Sequence, residues 1–161
     1  MKERLHVLRF EVYDDPSEMD SSTATLVQQA TQALEHSYSP YSRFQVAAAL
    51  RLANGEIVSG SNQENASYPL CLCAERVALF AAAARFPGVA VQAIFVTSRQ
   101  DGSTEEQAVT PCGACRQVMV ETEMRQGSPL QVYLRGQEDQ IFAFKKAADL
   151  LPLNFDGTHL R

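Results

Sequence analysis

Two cysteine clusters, Cys73-Ala74-Glu75 and Pro111-Cys112-Gly113-Ala114-Cys115, constrain the fold of this chain more than any other feature. Together they offer three thiols and one carboxylate at spacings that suit an open, catalytic zinc site. Three protein ligands leave a fourth tetrahedral position for water. A carboxylate just after the first ligand sits beside that water without binding the metal. Both clusters fall where a loop turns into a helix, so the fold has to bring two helix N-termini to one point. The reason is electrostatic. Three thiolates on Zn²⁺ leave a net negative site, and helix N-termini set partial positive charge and free N–H groups against it. Arg76, directly after Glu75, is a candidate hydrogen-bond donor to thiolate sulfur, with a surface helix arginine as the plain alternative.

Composition limits the partners. A chain of 161 residues suits one domain, and at that size roughly 68–70% of the unfolded surface is buried. A net charge of −5 provides no global basic field for nucleic acid or an anionic membrane. No stretch reaches the ~20 apolar residues of a membrane helix, and residues 1–15 lack the continuous apolar core of a signal peptide. The expected location is cytoplasmic, where thiols stay reduced. Four cysteines there are metal ligands or core residues rather than bridges.

The hydrophobic pattern predicts the elements around the clusters. Residues 1–16 form an N-terminal extension in which Leu5, Val7, Phe10 and Val12 alternate loosely, suggesting an edge strand. Residues 17–161 form a single domain. Ser17 and Asp20 resemble a capping box ahead of a helix over 18–37, which Ser39-Pro40 ends. Phe44, Val46, Ala48, Leu50 and Leu52 alternate strictly and define a strand with a small-residue second face. Asn54-Gly55 predicts a hairpin. Ala74–Phe86 and Pro111–Met124 read as helices, Val91–Ser98 as a buried strand and Gln100–Val109 as an exposed loop. Short strands at 130–134 and 141–144 precede a last helix over 145–151. This order predicts an α/β fold, a three-layer α/β/α sandwich around a mixed five-stranded sheet.

Two other uses of the cysteines compete with the open site. Cys112 and Cys115 alone suit a redox dithiol, and Cys71 raises the possibility of a closed Cys₄ structural zinc. Closed sites usually pair cysteines two to four residues apart. Cys71-x-Cys73 is tighter, so Cys71 is expected as a buried structural thiol. His6, His36 and His159 lie outside both clusters and are expected as exposed or packing residues.

The motifs extend beyond the cysteines. Ser39-Pro40-Tyr41-Ser42-Arg43-Phe44, Asn62-Gln63-Glu64-Asn65-Ala66, Cys73-Ala74-Glu75-Arg76, Pro111–Gln117 and Leu150-Leu151-Pro152 together resemble the small homotetrameric, zinc-dependent cytidine deaminases. The zinc-deaminase signature itself is a known pattern, here in the variant with Cys as first ligand. The resemblance implies one Zn²⁺ per chain on Cys73, Cys112 and Cys115, with water adding to C4 of cytosine and ammonia leaving. It makes Glu75 the general acid/base, although a lone glutamate in a first helical turn is ordinarily a helix-dipole carboxylate. It assigns Asn62 and Glu64 to the ribose, and alternate residues of an extended segment do point the same way. It places Phe44 near the base, with a core role as alternative, and gives Ala74 backbone hydrogen bonds to the base. Phe155 matches an aromatic reaching a neighbouring subunit's site and Tyr68 one at a subunit contact; a C-terminal anchor and core packing are the respective alternatives. Ala47 and Gln63 depart from the residues many relatives have there, glycine and an apolar residue.

The implied activity is hydrolytic deamination of cytidine and 2′-deoxycytidine in pyrimidine salvage, by a homotetramer with sites near subunit interfaces. A blasticidin-type aminonucleoside deaminase shares the zinc motif. A nucleic-acid base deaminase needs a basic, aromatic-lined channel, which the charge and the Asn62/Glu64 pair disfavour. A Cys₄ structural module is the non-enzymatic alternative.

Overall fold

The computed structural model describes residues 1–160, the side chain of His159 excepted. The expectation for His159 therefore lies outside the described residues. The chain runs β1 (Glu11–Tyr13), α1 (Ser21–Ala33), β2 (Phe44–Leu52), β3 (Ile57–Ser61), α2 (Ala74–Arg85), β4 (Val91–Gln100), β5 (Glu106–Gln107), α3 (Gly113–Gln126), β6 (Gln131–Arg135) and β7 (Ile141–Phe144). The strands form one mixed sheet in the order β1-β7-β6-β4-β2-β3, with β5 added to the end of β4. Among the described strands, only β4 and β6 pair in parallel. Their connection passes through α3, as a parallel crossover requires.

The alternation read in β2 decides the layers. Ala48, Leu50 and Leu52 face α2 and α3 in the larger core, with Ile94, Val96 and Met119. Ala49 faces the other way and packs with Ala93 and Phe95 against Leu26, Val27 and Ala30 of α1. Alanine on this second face lets α1 lie close to the sheet. The result is the expected three-layer sandwich.

The details differ from expectation in four places. The sheet has seven strands, not five; the additions are β1, in the extension where an edge strand was expected, and β5, whose two residues leave no periodicity to read. β1 pairs with β7 at the sheet edge, where Phe10 lies 5.2 Å from Phe144, ring to ring. The segment after Gln100 is not wholly loop, because Glu106 and Gln107 pair back onto Arg99 and Ser98. Helix α1 is shorter than 18–37: the Asp20 carboxylate accepts from the backbone N–H groups of Ser22 and Thr23 and caps it directly. The last predicted helix is a single 3₁₀ turn, Ala147–Leu150.

Close packing of α2 on β3 positions the first cysteine cluster. A Cβ on Gly60 would lie 2.6 Å from the Ala78 nitrogen and 2.9 Å from the Ala74 carbonyl oxygen. Only glycine lets the helix backbone rest there. Past β3 the chain stays extended. The Asn62 carbonyl accepts from Tyr38, the Glu64 N–H donates to the Tyr38 carbonyl at 2.8 Å, and Gln63 exchanges both backbone bonds with Leu72. This short three-stranded patch leads directly to Cys73.

Candidate active site

Cys73 is the N-cap of α2 and Cys112 the N-cap of α3, and neither thiol caps its own helix. The sulfurs are thereby left for another partner. Cys73, Cys112 and Cys115 converge so that their Sγ atoms all lie within 4.8 Å of one another. The Cys73–Cys112 separation is 4.0 Å and the Cys112–Cys115 separation 3.5 Å. Sulfurs bound tetrahedrally to zinc at ~2.3 Å stand about 3.8 Å apart, so the donor set fits that ion in both chemistry and spacing. Cys71 does not belong to the cluster. Its sulfur accepts from the Asn65 N–H at 3.2 Å instead, and the residue is half-exposed rather than buried as expected. His6 and His36 are likewise outside it.

The electrostatics favour a thiolate at Cys73. A hydrogen bond with the Cys115 thiol and the nearby Arg76 guanidinium hold Cys73 down to about 5. The same bond to Cys73, together with burial, pushes Cys115 up. Arg76 Nη2 donates to the Cys71 carbonyl at 3.2 Å and lies 3.8 Å from Cys73 Sγ. The side chain therefore turns toward the cysteine cluster. Glu75 follows on the first turn of α2 and is only 4% exposed. Burial pushes its carboxyl above the usual glutamate range, because a charged carboxylate loses hydration there.

Asn62 and Glu64 flank the same space. The Asn62 side-chain oxygen accepts from the Val46 N–H at 2.9 Å and from the Ser37 hydroxyl, while its nitrogen donates to the Phe44 carbonyl at 2.9 Å. These bonds fix which way the amide faces and leave one amide hydrogen for a ligand. Glu64 Oε2 accepts from the N–H groups of Tyr41 and Ser42 at 2.9 and 3.2 Å. The Ser42 hydroxyl and then these amides hold its carboxyl below the usual range. It is an anion built to accept hydrogen bonds.

Cys73, Glu75, Cys112, Asn62 and Glu64 line one cavity of about 250 Å³. Its other walls are mostly apolar, and Val46, Leu72, Val109 and Thr110 were not singled out by sequence reasoning. Val46 lies on the strictly alternating strand, so its side was readable. Val109 and Thr110 sit in a segment without periodicity, and their place just before Pro111 was the only hint. Phe44 does not line this cavity and meets the site through its carbonyl on Asn62. Ala74 is fully buried beneath Gly60. Phe155 is 61% exposed and lies outside the cavity of its own chain, its carbonyl accepting from Gln117 at 2.8 Å. Tyr68 is exposed beside Tyr41 in a neighbouring depression that also reaches Glu64.

Residues 20–127 match a family model described as the cytidine and deoxycytidylate deaminase zinc-binding region. The cytidine deaminase of Sporosarcina psychrophila is 42% identical over 136 residues, 84% of this chain and 92% of that protein. That of Halalkalibacterium halodurans is 50% identical over 98 residues, 60% of this chain and 68% of the relative. The crystal structure of cytidine deaminase from Burkholderia pseudomallei superposes with a TM-score of 0.69 at 43% identity, covering 81% of this chain and 97% of that one.

Proposed function

The chain belongs to the cytidine and deoxycytidylate deaminase family, a family of zinc-dependent hydrolytic deaminases, and on that premise we propose that it converts cytidine and 2′-deoxycytidine to uridine and 2′-deoxyuridine in pyrimidine salvage. The observation that carries this reading is one cavity shared by two of the three clustered cysteines, a buried carboxyl and a polar pair suited to a sugar. Cys73, Cys112 and Cys115 hold the zinc. Bound there, zinc lowers the pKa of water toward neutrality and so supplies a nucleophile.

Glu75 moves the protons. Its carboxylate takes one from water as oxygen bonds to C4 and hands it to ring N3. It then takes the second proton from the hydroxyl now on C4 and gives it to the amine, so that C4=O forms as the C4–N bond breaks and ammonia leaves. A carboxyl whose pKa is raised by burial is suited to both halves of that exchange. Arg76 and the two helix N-termini offset the thiolate charge that would otherwise blunt the metal. Asn62 donates its spare amide hydrogen to the ribose and Glu64 accepts from a sugar hydroxyl. Ala74 presents backbone groups to the base, and Phe44 fixes the edge of the pocket through Asn62.

We further assign the catalytic unit to residues 17–161 and a homotetrameric assembly in which Phe155 of one subunit approaches a neighbour's site. Tyr68 at 69% and Leu70 at 65% exposure, beside that site, support a covered surface there. Four unpaired cysteines suit the cytoplasm. No described helix is long and apolar enough to cross a membrane.

The test is an ultraviolet assay of zinc-loaded protein on cytidine, deoxycytidine, blasticidin S and a cytosine-containing oligonucleotide. Turnover of the two free nucleosides is expected. Turnover confined to blasticidin S or the oligonucleotide overturns the assignment.

A further inference from the structure

The loop between β4 and α3 forms the Val109–Thr110 wall of the cavity and ends on Cys112. Nothing in the chemistry above explains what holds that wall in place. Three residues before Val109 stands Glu106, only 14% exposed, and its carboxylate gathers donors from three elements. Oε1 accepts from the Thr31 hydroxyl of α1 at 2.8 Å. Oε2 accepts from the Thr97 hydroxyl of β4 and from Arg135 of β6, with Nε at 3.0 Å and Nη2 at 2.9 Å. Arg135 is 5% exposed. Its guanidinium lies 5.5 Å above the Phe95 ring, and Nη1 donates to the Asp139 carbonyl at 3.1 Å. The same residue grips the loop again further on, where its backbone carbonyl accepts from the Val109 N–H at 3.1 Å. Ser98 adds a bond from its hydroxyl to the Gln107 carbonyl at 3.0 Å.

We infer that Glu106 and Arg135 form a clamp that positions the Val109–Thr110 wall and thereby sets affinity for the nucleoside. Glu106 and Arg135 are positioning residues, since neither lines the cavity. A buried ion pair is weak grounds for stability on its own, because desolvation offsets much of the attraction. What this pair does provide is one defined geometry, with Arg135 holding the loop at residues 106 and 109. The metal end of the loop has a separate anchor. Arg116 Nε donates to the Pro111 carbonyl at 2.8 Å, and Nη1 donates to the Leu150 carbonyl at 2.9 Å. Loosening the clamp should therefore move the wall without moving Cys112. A wall that touches substrate equally before and during reaction contributes uniform binding, which appears in KM and not in kcat.

The inference rests on the proposed deaminase reading, and its test separates the two. In the zinc-loaded protein, Glu106→Gln keeps the shape of the side chain and leaves Arg135 only the exposed Asp139 carboxylate, 3.8 Å away. Expected results are unchanged zinc content, amide exchange across residues 107–110 faster by about tenfold, a cytidine KM raised about tenfold and kcat within about twofold. A fall in melting temperature with unchanged exchange and unchanged KM makes the pair merely structural and overturns the inference. A fall in kcat with loss of zinc also overturns it, because the clamp would then act on the metal. Should the wild type leave cytidine untouched, the deaminase reading fails while the exchange measurement still decides the clamp. If Glu106→Gln does not fold, Thr31→Val removes the hydrogen bond to Glu106, together with the hydroxyl's bond to the Val27 carbonyl within α1, and leaves the ion pair. It should shift exchange and KM in the same direction by about two- to threefold, and no shift in either overturns the inference.

Discussion

The start of α2 rests directly on the sheet in close backbone contact, whereas the start of α3 arrives at the end of a loop tied down by polar side chains. At α2 the contact is Gly60 against Ala74 and Ala78, with no room for a methyl group. At α3 the ties are Glu106 with Arg135, and Arg116 on Pro111. The two ends also carry different chemistry. Cys73, Glu75 and Arg76 all stand at the first, so the thiolate nearest a cation and the buried carboxyl are set by packing. The second supplies two sulfurs and a wall. Interiors close-packed at near-crystalline density hold position to fractions of an ångström, which is what proton transfer requires. Polar networks tolerate a longer loop, but they depend on every partner being present.

The largest expected effect falls on the packed end. Glu75→Ala should keep the zinc and lower kcat by roughly 10²–10⁴-fold or more, the range for removing a general acid/base. Zinc analysis beside steady-state kinetics on cytidine checks it. Retained turnover would remove Glu75 as the proton carrier and with it the contrast between a reacting end and a supporting end.

Gly60→Ala tests the packing itself. The added methyl would meet the Ala78 nitrogen at 2.6 Å, and backbone atoms cannot yield as a flexible side chain does. Overpacking of this kind costs about 1–3 kcal/mol, read as a lower midpoint in urea. A loss below about 0.5 kcal/mol, the scale of ordinary surface substitutions, would show that α2 can lift from β3 and that the two ends are not so different.

The same contrast separates what the sequence made legible from what it hid. The strict alternation of Phe44–Leu52, the Asn54-Gly55 turn and the placement of both cysteine clusters at helix starts all follow from local chemistry, and the structure contains each. Asn62 and Glu64 came from the resemblance to the deaminases, and the alternation of an extended segment only agrees with it. Glu106 was not readable. It sits in a polar stretch that reads as an exposed loop, and its partners Thr31, Thr97 and Arg135 come from three distant elements. Long-range polar pairing leaves no period in the chain. Helix α1 was placed but overextended, because Asp20 acts as the cap itself rather than as the third residue of a capping box.

Asp20 supplies a control remote from both ends. The Ser22 and Thr23 hydroxyls hold its carboxyl down to about 2. Asp20→Ala should cost about 1 kcal/mol, as loss of an N-cap does, with KM and kcat for cytidine unchanged. The folded-state pKa lies below the unfolded value of about 3.9. Its contribution is therefore complete above pH ~4 and disappears as pH falls toward ~2. Denaturant midpoints of wild type and variant should converge across that window, and curves that stay parallel to pH ~2 would remove the carboxylate as the cap.

The smallest expected effect is the one that bears most directly on the metal. Cys71 is close in sequence to Cys73, and if its sulfur were a ligand the site would be closed, with no place for water. The structure gives that sulfur another occupation, accepting from the Asn65 N–H at 3.2 Å and lying 3.6 Å from the Asn65 carbonyl. A serine hydroxyl can make both contacts. Cys71→Ser should therefore bind zinc at the same stoichiometry of about one per chain, with a stability change within about 0.5 kcal/mol. The sensitive readout is the rate at which a colorimetric chelator removes the metal. An unchanged rate keeps the site at three sulfurs, two of them on the α3 end. Release accelerated by about tenfold or more would make Cys71 a fourth ligand of a closed structural zinc, and Glu75 would become an ordinary first-turn glutamate.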